Sequence, residues 1–308
     1  MSEHHIEIIR YDCGWGCRDH GCEDGPYHLD EEALTDGLQA LGHHVMWHDS
    51  LHIREMAEHD FMKDKDTALP IVAEAVLRLA RAAENAVLQG RIPVVIGGDH
   101  TAAIGTWSGI ITAHDAFQEF GLVWLDAHLD AHTPETAHEG KWGGWWHGMP
   151  VACLAGEGVD ELTRLSAPQT KIDMAHFSLI GARSYEPGEA EFMDRHNARF
   201  YKIPEVAERG FDDIFTTSLA RAATGTKGFG LSVDLDGFDP ADAPGVGTNE
   251  KGGLSARDAL AAFKGVSAHP LFRGIEVVEY NPHKDQDGKT ARLINEILFA
   301  VFAPKTND

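Results

Sequence analysis

An apolar run, Gly121-Leu-Val-Trp-Leu125, leads into Asp126-Ala-His128-Leu-Asp130, where two carboxylates and an imidazole alternate. Alternate residues of a strand share a face, so these three groups gather on one side of a strand end. Buried anions held that close repel one another unless a cation neutralises them. The pattern returns at Leu231-Ser-Val-Asp234-Leu-Asp236, and a third apolar run, Ile92-Pro-Val-Val-Ile96, leads into Gly97-Gly-Asp99-His100. His100, Asp126, His128, Asp130, Asp234 and Asp236 are enough ligands for a pair of metal ions. Mixed imidazole and carboxylate donors suit a borderline-hard divalent ion such as manganese. Taken singly, an Asp-x-Asp reads as a turn or cap and a lone histidine as a hydrogen-bonded structural residue. Three fragments alike in type and placement make a metal centre the better reading.

The elements needed to position these groups follow from periodicity. Ile6–Ile9 and Val45–Trp47 read as short strands with an acidic helix near Asp30 to Leu41 between them. Pro70 to Leu88 reads as a helix: Val72, Ala75, Val76, Leu79, Ala83, Ala86 and Val87 fall at helical spacing, with Pro70 near the start and Gly90 beyond the end. A helix near Ala102 to Ala113 separates the first two ligand-bearing strands, and Phe177–Ile180, Gly230–Val233 and Gly274–Val278 add further strands. Ser255 caps a helix through Lys264, and Thr290 to Phe302 forms the last. Strands separated by helices imply right-handed crossovers, an α/β class and a parallel sheet covered on both faces. Ligands in such sheets bind at the carboxyl ends of strands, where these residues lie. No repeat or linker divides the chain, so residues 1–308 read as one domain.

Taken together, Gly97-Gly-Asp-His-Thr101, Asp126-Ala-His-Leu-Asp130, His147-Gly-Met-Pro-Val-Ala152, Ser232-Val-Asp-Leu-Asp-Gly-Phe-Asp-Pro240 and Glu279-Tyr-Asn-Pro282 resemble the ureohydrolase superfamily. Its members include arginase, agmatinase, formimidoylglutamase and guanidinobutyrase. The motifs keep the family's order, and His147-Gly-Met-Pro with Ala103-Ile-Gly-Thr106 look most like arginase proper. The resemblance implies an arginase-like fold, three-layer αβα around a mainly parallel sheet of about eight strands. It implies two manganese ions, for which nickel or cobalt can substitute. One would take His100, Asp126, Asp130 and Asp234, the other Asp126, His128, Asp234 and Asp236, with Asp126 and Asp234 bridging and a hydroxide between the ions. The implied reaction is hydrolysis of a guanidino C–N bond to urea and an amine. Asp130, His147 and Glu279 would be the catalytic residues, His147 as general acid and Glu279 as guanidinium anchor. Asp99 would orient ligands from behind and Asp239 would cap its loop.

Substrate contacts are implied less completely. His132 stands where arginases place an asparagine, and Gly143-Gly-Trp145-Trp146 replaces their Ser-Gly-Asn-x run. Glu186 matches the acidic position that meets the substrate amino group. Trp142, Trp145 and Trp146 either wall the substrate with aromatic faces or pin a long loop to the protein body. Alternatives to arginine are agmatine, 4-guanidinobutyrate, free guanidine and formiminoglutamate, the last yielding formamide. A non-catalytic guanidino-binding member is a further alternative. A one-zinc deacetylase is disfavoured by the full ligand set, and simple metal storage by its strand-end spacing.

Composition agrees with a soluble cytoplasmic enzyme. The 308 residues carry 26 Lys plus Arg against 49 Asp plus Glu, a formal charge of −23. Such acidity disfavours nucleic acid and anionic membranes as partners and attracts a small cationic guanidino substrate. No segment approaches the roughly 20 apolar residues of a membrane span, and no leader is expected. Cys13, Cys17 and Cys22 lack the paired spacing of a zinc site with His20, so they read as reduced thiols in a Gly-rich loop. Family resemblance implies a homotrimer or homohexamer.

Overall fold

The protein was analysed as a computed structural model that describes residues 3–56, 64–137 and 144–304. Eight parallel strands form one sheet in the order β2-β1-β3-β8-β7-β4-β5-β6. They are β1 (His5–Tyr11), β2 (His44–Trp47), β3 (Ile92–Gly97), β4 (Phe120–Leu125), β5 (Phe177–Ala182), β6 (Arg199–Lys202), β7 (Gly228–Asp234) and β8 (Phe272–Val278). The sequence reading finds seven of them. The eighth, β6, is a four-residue edge strand whose Arg-Phe-Tyr-Lys carries no apolar run, since an edge strand need not be buried on both sides.

Among the described residues, ten α-helices connect and cover the strands: α1 (Glu31–Ala40), α2 (Lys65–Leu88), α3 (Ala102–Ala113), α4 (Pro150–Leu154), α5 (Asp160–Thr163), α6 (Pro187–Arg195), α7 (Ile203–Arg209), α8 (Phe211–Ala223), α9 (Ala256–Phe263) and α10 (Lys289–Phe302). α2 begins five residues before Pro70, because Asp64 caps it by accepting the Thr67 N–H at 2.9 Å. Pro70 therefore sits in the second turn. α2 stops where Gly90 turns into the left-handed region at φ +76°, a conformation that costs glycine little. Ser255 caps α9 as expected, accepting from Asp258 N–H at 3.3 Å.

The period-two alternation of the strands divides the core into two layers. Ile9, Val95 and Trp124 face α2 and α3, packing with Val72, Leu79, Trp107 and Ile110. Ile8, Val94, Ile96 and Val277 face the opposite way, onto Leu34, Phe215, Phe263 and Ile297 of α1, α8, α9 and α10. What this arrangement does for function lies at one sheet edge. The adjacent strands β3, β8, β7 and β4 end level with one another: Ile96 pairs with Val277, Val277 with Val233, and Val233 with Leu125. Each is followed directly by a chemistry-bearing segment.

Candidate metal centre and active site

All six expected ligands converge at this edge. Nδ1 of His100, just past β3, lies 3.3, 3.1 and 3.0 Å from carboxylate oxygens of Asp126, Asp130 and Asp234. Nδ1 of His128 lies 3.5 Å from Asp126 and 3.1 Å from Asp236. Donor atoms of His100, Asp126 and Asp234 form one compact set, and those of Asp126, His128 and Asp236 a second. Asp126 serves both, its Oδ2 toward His100 and its Oδ1 toward His128. The other expected bridge, Asp234, contributes Oδ2 to the first set, while its Oδ1 accepts the Asp236 N–H at 2.8 Å.

Electrostatics at the centre are those of too much negative charge in too little solvent. Burial opposes protonation of His100, yet Asp126, Asp130 and Asp234 outweigh it and hold the imidazole well above its ordinary value. His128 is raised in the same way by Asp236 and Asp126. Burial, with the charges of Asp236 and Asp126, pushes the Asp234 carboxyl well up. A divalent cation relieves this repulsion directly. His100 Nδ1 is buried without a well-formed hydrogen bond although three carboxylates surround it, which is the placement of a ligand atom. The donor set therefore fits a metal pair.

The donor residues are held from behind by groups that the sequence reading did not single out. His100 Nε2 lies 3.0 Å from Ser232 Oγ, and the Ser232 hydroxyl donates to Glu276 Oε1 at 2.7 Å. Trp107 Nε1 donates to the same Glu276 oxygen at 2.7 Å. This chain fixes which His100 nitrogen faces the carboxylates. Trp124 stacks on the His100 ring at 4.3 Å between centroids, and its Nε1 donates to Asp126 Oδ2 at 2.9 Å. One signal was available: Glu276 interrupts the apolar strand Gly274-Ile-Glu-Val-Val278, and a glutamate there needs buried partners. Asp99 behaves otherwise than expected. Its carboxylate accepts from Gly16 N–H at 2.7 Å and Thr101 N–H at 3.0 Å, so it ties the Cys-containing loop to β3, and among the described residues its bonds go to none of the six donor residues. Asp239 caps its loop as expected, accepting from Ala241, Gly252 and Gly253 N–H groups.

A cavity of about 660 Å³ opens over the centre, with His128, Asp130 and His147 in its lining and Cys17, Trp145 and Glu186 among its walls. His147 Nδ1 is 3.3 Å from Glu279 Oε1. Burial works against its charged form, but Cys17 and Glu279 raise it well above the ordinary value, which keeps a proton available. Glu279 follows β8 at φ +66° and Asp130 sits at φ +49°. Both are left-handed backbones that a non-glycine residue adopts only when its surroundings impose them.

The expected substrate contacts divide. Glu186 and Trp145 line the cavity. His132 also reaches it, but its Nε2 is 3.1 Å from Glu186 Oε2 and its Nδ1 is 3.1 Å from Thr136 Oγ1, so both ring nitrogens are occupied. Trp146 is a correction: 3% exposed, it turns into the core and donates from Nε1 to the Lys65 carbonyl at 2.6 Å, pinning its loop to α2. Trp142 and Gly143 lie outside the described residues. Cys17 and Cys22, read as thiols of a loop, come to the site: Cys17 lines the cavity and Cys22 Sγ lies 3.2 Å from Glu279 Oε2.

A family model described as the Arginase family matches residues 5–303. The arginase of Bacillus caldovelox is 34% identical over 97% of this chain and 98% of its own. That of Bacillus subtilis strain 168 is 32% identical over 95% and 97%. The solved native structure of the Bacillus caldovelox arginase superposes with a TM-score of 0.90, covering 98% of this chain and 99% of that one. The Bacillus cereus arginase structure, 29% identical, gives 0.87 over 99% and 100%. With the eight-stranded parallel sheet and a matched span running nearly end to end, this chain belongs to the arginase family.

Proposed function

We propose that the protein is a binuclear metal hydrolase that cleaves a guanidino C–N bond and releases urea and an amine, with arginine as the leading substrate. The observation that carries this reading is the pair of donor sets sharing Asp126 beneath a cavity lined by His147, with the Glu279 carboxylate 3.3 Å behind that imidazole. His100, Asp126, Asp130 and Asp234 would hold one ion and Asp126, His128, Asp234 and Asp236 the other, with manganese the favoured metal. A divalent pair lowers the pKa of water and so would make a nucleophile available at neutral pH.

The chain's own residues account for the rest of the reaction. A guanidinium carbon is a poor electrophile because its charge is spread over three nitrogens, so orientation of the group matters most. Glu279, whose carboxylate is buried and ionised, binds the guanidinium by a charge-assisted hydrogen bond. Asp130, in the cavity lining, orients the attacking water as well as serving as a ligand. The leaving nitrogen cannot depart as an anion, and His147 delivers the proton it needs. Glu186 and Trp145 meet the distal end of the substrate, as a charge partner and an aromatic wall. The reading extends to one catalytic domain over residues 1–308, working in the cytoplasm as a homotrimer or homohexamer.

The occupied ring nitrogens of His132 make the distal end of the substrate the open variable. Manganese-loaded protein is assayed for urea with arginine, agmatine, 4-guanidinobutyrate and guanidine, and for formamide with formiminoglutamate. Urea from at least one guanidino compound supports the reading, and formamide alone moves the substrate to the formimino class. A metal-loaded protein inert toward all five compounds overturns the reading in favour of a binding role.

A further inference from the structure

We propose that Cys22 is a positioning residue for this reaction: its thiol orients the Glu279 carboxylate beside His147 and thereby sets how tightly the guanidinium group is held. The two residues are 257 positions apart in sequence, and Cys22 Sγ donates to Glu279 Oε2 at 3.2 Å in a fully buried contact. The other oxygen, Oε1, accepts the His100 N–H at 3.0 Å and faces His147 Nδ1 at 3.3 Å. Among the described residues, Cys22 is the side chain hydrogen-bonded to Oε2. Without it one edge of a buried carboxylate loses its donor, and the carboxylate plane loses a fixed point.

The surroundings deliver the thiol rigidly. Cys22 lies in the short 3₁₀ helix His20–Tyr27, whose Gly21 and Gly25 pack against Asn281 and Tyr280 of the segment that follows β8. A Cβ on Gly25 would come 2.3 Å from the Tyr280 carbonyl oxygen, and one on Gly247 would come 2.6 Å from Glu279 Oε2 and 3.2 Å from Cys22 Sγ. The pocket around the pair is therefore filled to contact distance. The Glu279 backbone is pinned as well, its N–H donating to Gly98 O at 2.8 Å and its carbonyl accepting from Gly247 N–H at 3.3 Å. With the main chain held, the orientation of the side chain depends on its donors. Burial and the Glu279 charge keep the Cys22 thiol protonated, so it stays a donor. Serine at this position retains an O–H donor of similar size, whereas alanine retains neither donor nor volume.

The test compares the wild-type protein with Cys22→Ser, Cys22→Ala and, as a control for loss of a remote buried thiol, Cys153→Ala, all full-length and manganese-loaded. Its kinetic arm rests on the reading of Glu279 as the guanidinium anchor; its spectroscopic arm does not. Cys22→Ala is expected to raise KM for the hydrolysed guanidino compound about tenfold while kcat changes less than about threefold, the signature of weakened ground-state binding. Cys22→Ser is expected to restore KM to within about threefold of wild type, and Cys153→Ala to leave both constants unchanged. Equal KM values for the Ala and Ser variants mean that Cys22 acts through packing alone, which overturns the proposal. In Raman spectra the Cys22 S–H stretch, identified by its loss in Cys22→Ser, is expected below that of Cys153 and to move upward in Glu279→Ala. Coincident Cys22 and Cys153 bands in the wild-type protein overturn the contact itself. Absence of turnover on every guanidino compound defeats the hydrolytic reading, and the Raman comparison still decides whether the thiol holds the carboxylate.

Discussion

His147 Nδ1 and Glu279 Oε1 stand 3.3 Å apart, so the residue assigned to proton delivery and the residue assigned to guanidinium binding form one charged pair, with His147 on the cavity side. Each favours the ionised form of the other: Glu279 raises His147, and His147 helps hold the buried Glu279 carboxyl below its usual range. His147→Ala is expected to keep its metal and to lose about 100- to 10,000-fold in kcat, the usual span for general acid catalysis. Metal analysis beside urea release checks both halves. Full turnover by that variant removes His147 from the mechanism. Because the two residues act as a pair, His147→Ala and Glu279→Gln are expected to be less than additive in the double variant.

Loss of a shared carboxylate separates from loss of a supporting hydroxyl. Asp126 belongs to both donor sets, and Asp126→Ala is expected to abolish turnover and metal content together. Asp234→Ala is expected to do the same. Ser232→Ala breaks the His100–Ser232–Glu276 chain without removing a ligand, and is expected to weaken metal affinity about 10- to 100-fold. Retention of both ions by Asp126→Ala, measured by elemental analysis after dialysis, would contradict the shared-carboxylate arrangement.

Metal uptake carries a defined pH dependence. His100 and His128 are both raised well above the ordinary imidazole value by the carboxylates around them. In the metal-free protein each holds a proton that a cation must displace, so affinity is expected to rise with pH and proton release to accompany binding. Calorimetric titration of manganese in buffers of different ionisation enthalpy measures the protons released. No release at neutral pH rules out these imidazoles as ligands.

The two tryptophans next to His147 are expected to respond differently. Trp146→Phe loses the bond to the Lys65 carbonyl and is expected to cost about 1 kcal/mol of stability with little change in KM. Trp145→Ala is expected to raise KM with a smaller effect on stability, since Trp145 lines the cavity. Thermal melts and substrate titrations of both variants separate the roles, and an unchanged KM in Trp145→Ala takes the aromatic wall out of substrate binding.

Lys171 offers a test remote from the chemistry. Its side chain is 1% exposed and its ammonium donates to the carbonyls of Thr163, Ala167 and Gln169, while burial lowers it to about 8. Between about pH 8 and the unfolded value near 10.4 the unfolded chain binds more protons than the folded one, so this group makes folding more favourable as pH rises through that window. The contribution is on the order of 3 kcal/mol across the window. Lys171→Met is expected to flatten this part of the stability profile in denaturant titrations. An unchanged slope contradicts the shift.

The candidate centre was legible because its donor residues are local to strand ends. Asp126, His128 and Asp130, like Asp234 and Asp236, announce themselves by alternation after apolar runs, and those runs are continuous because a parallel sheet is buried on both faces. β6 carries no such run, and the supports of His100 come from four separate elements, so neither pattern shows along the chain. Trp145 and Trp146 are adjacent and chemically identical, and spacing could not tell which one turns to the cavity and which into the core.

By itself the sequence determined the class of sheet, the metal-type ligand set and the family likeness, because periodicity and residue type are one-dimensional properties. Tertiary structure decided what those residues meet. Cys22 and Glu279, 257 positions apart, touch only because β1 and β8 lie on either side of β3. The pairing of His132 with Glu186, the anchoring of Trp146 by Lys65 and the use of Asp99 as a tie for the Cys-containing loop have the same origin. Each depends on which elements the parallel topology makes neighbours, and no local pattern carries that information.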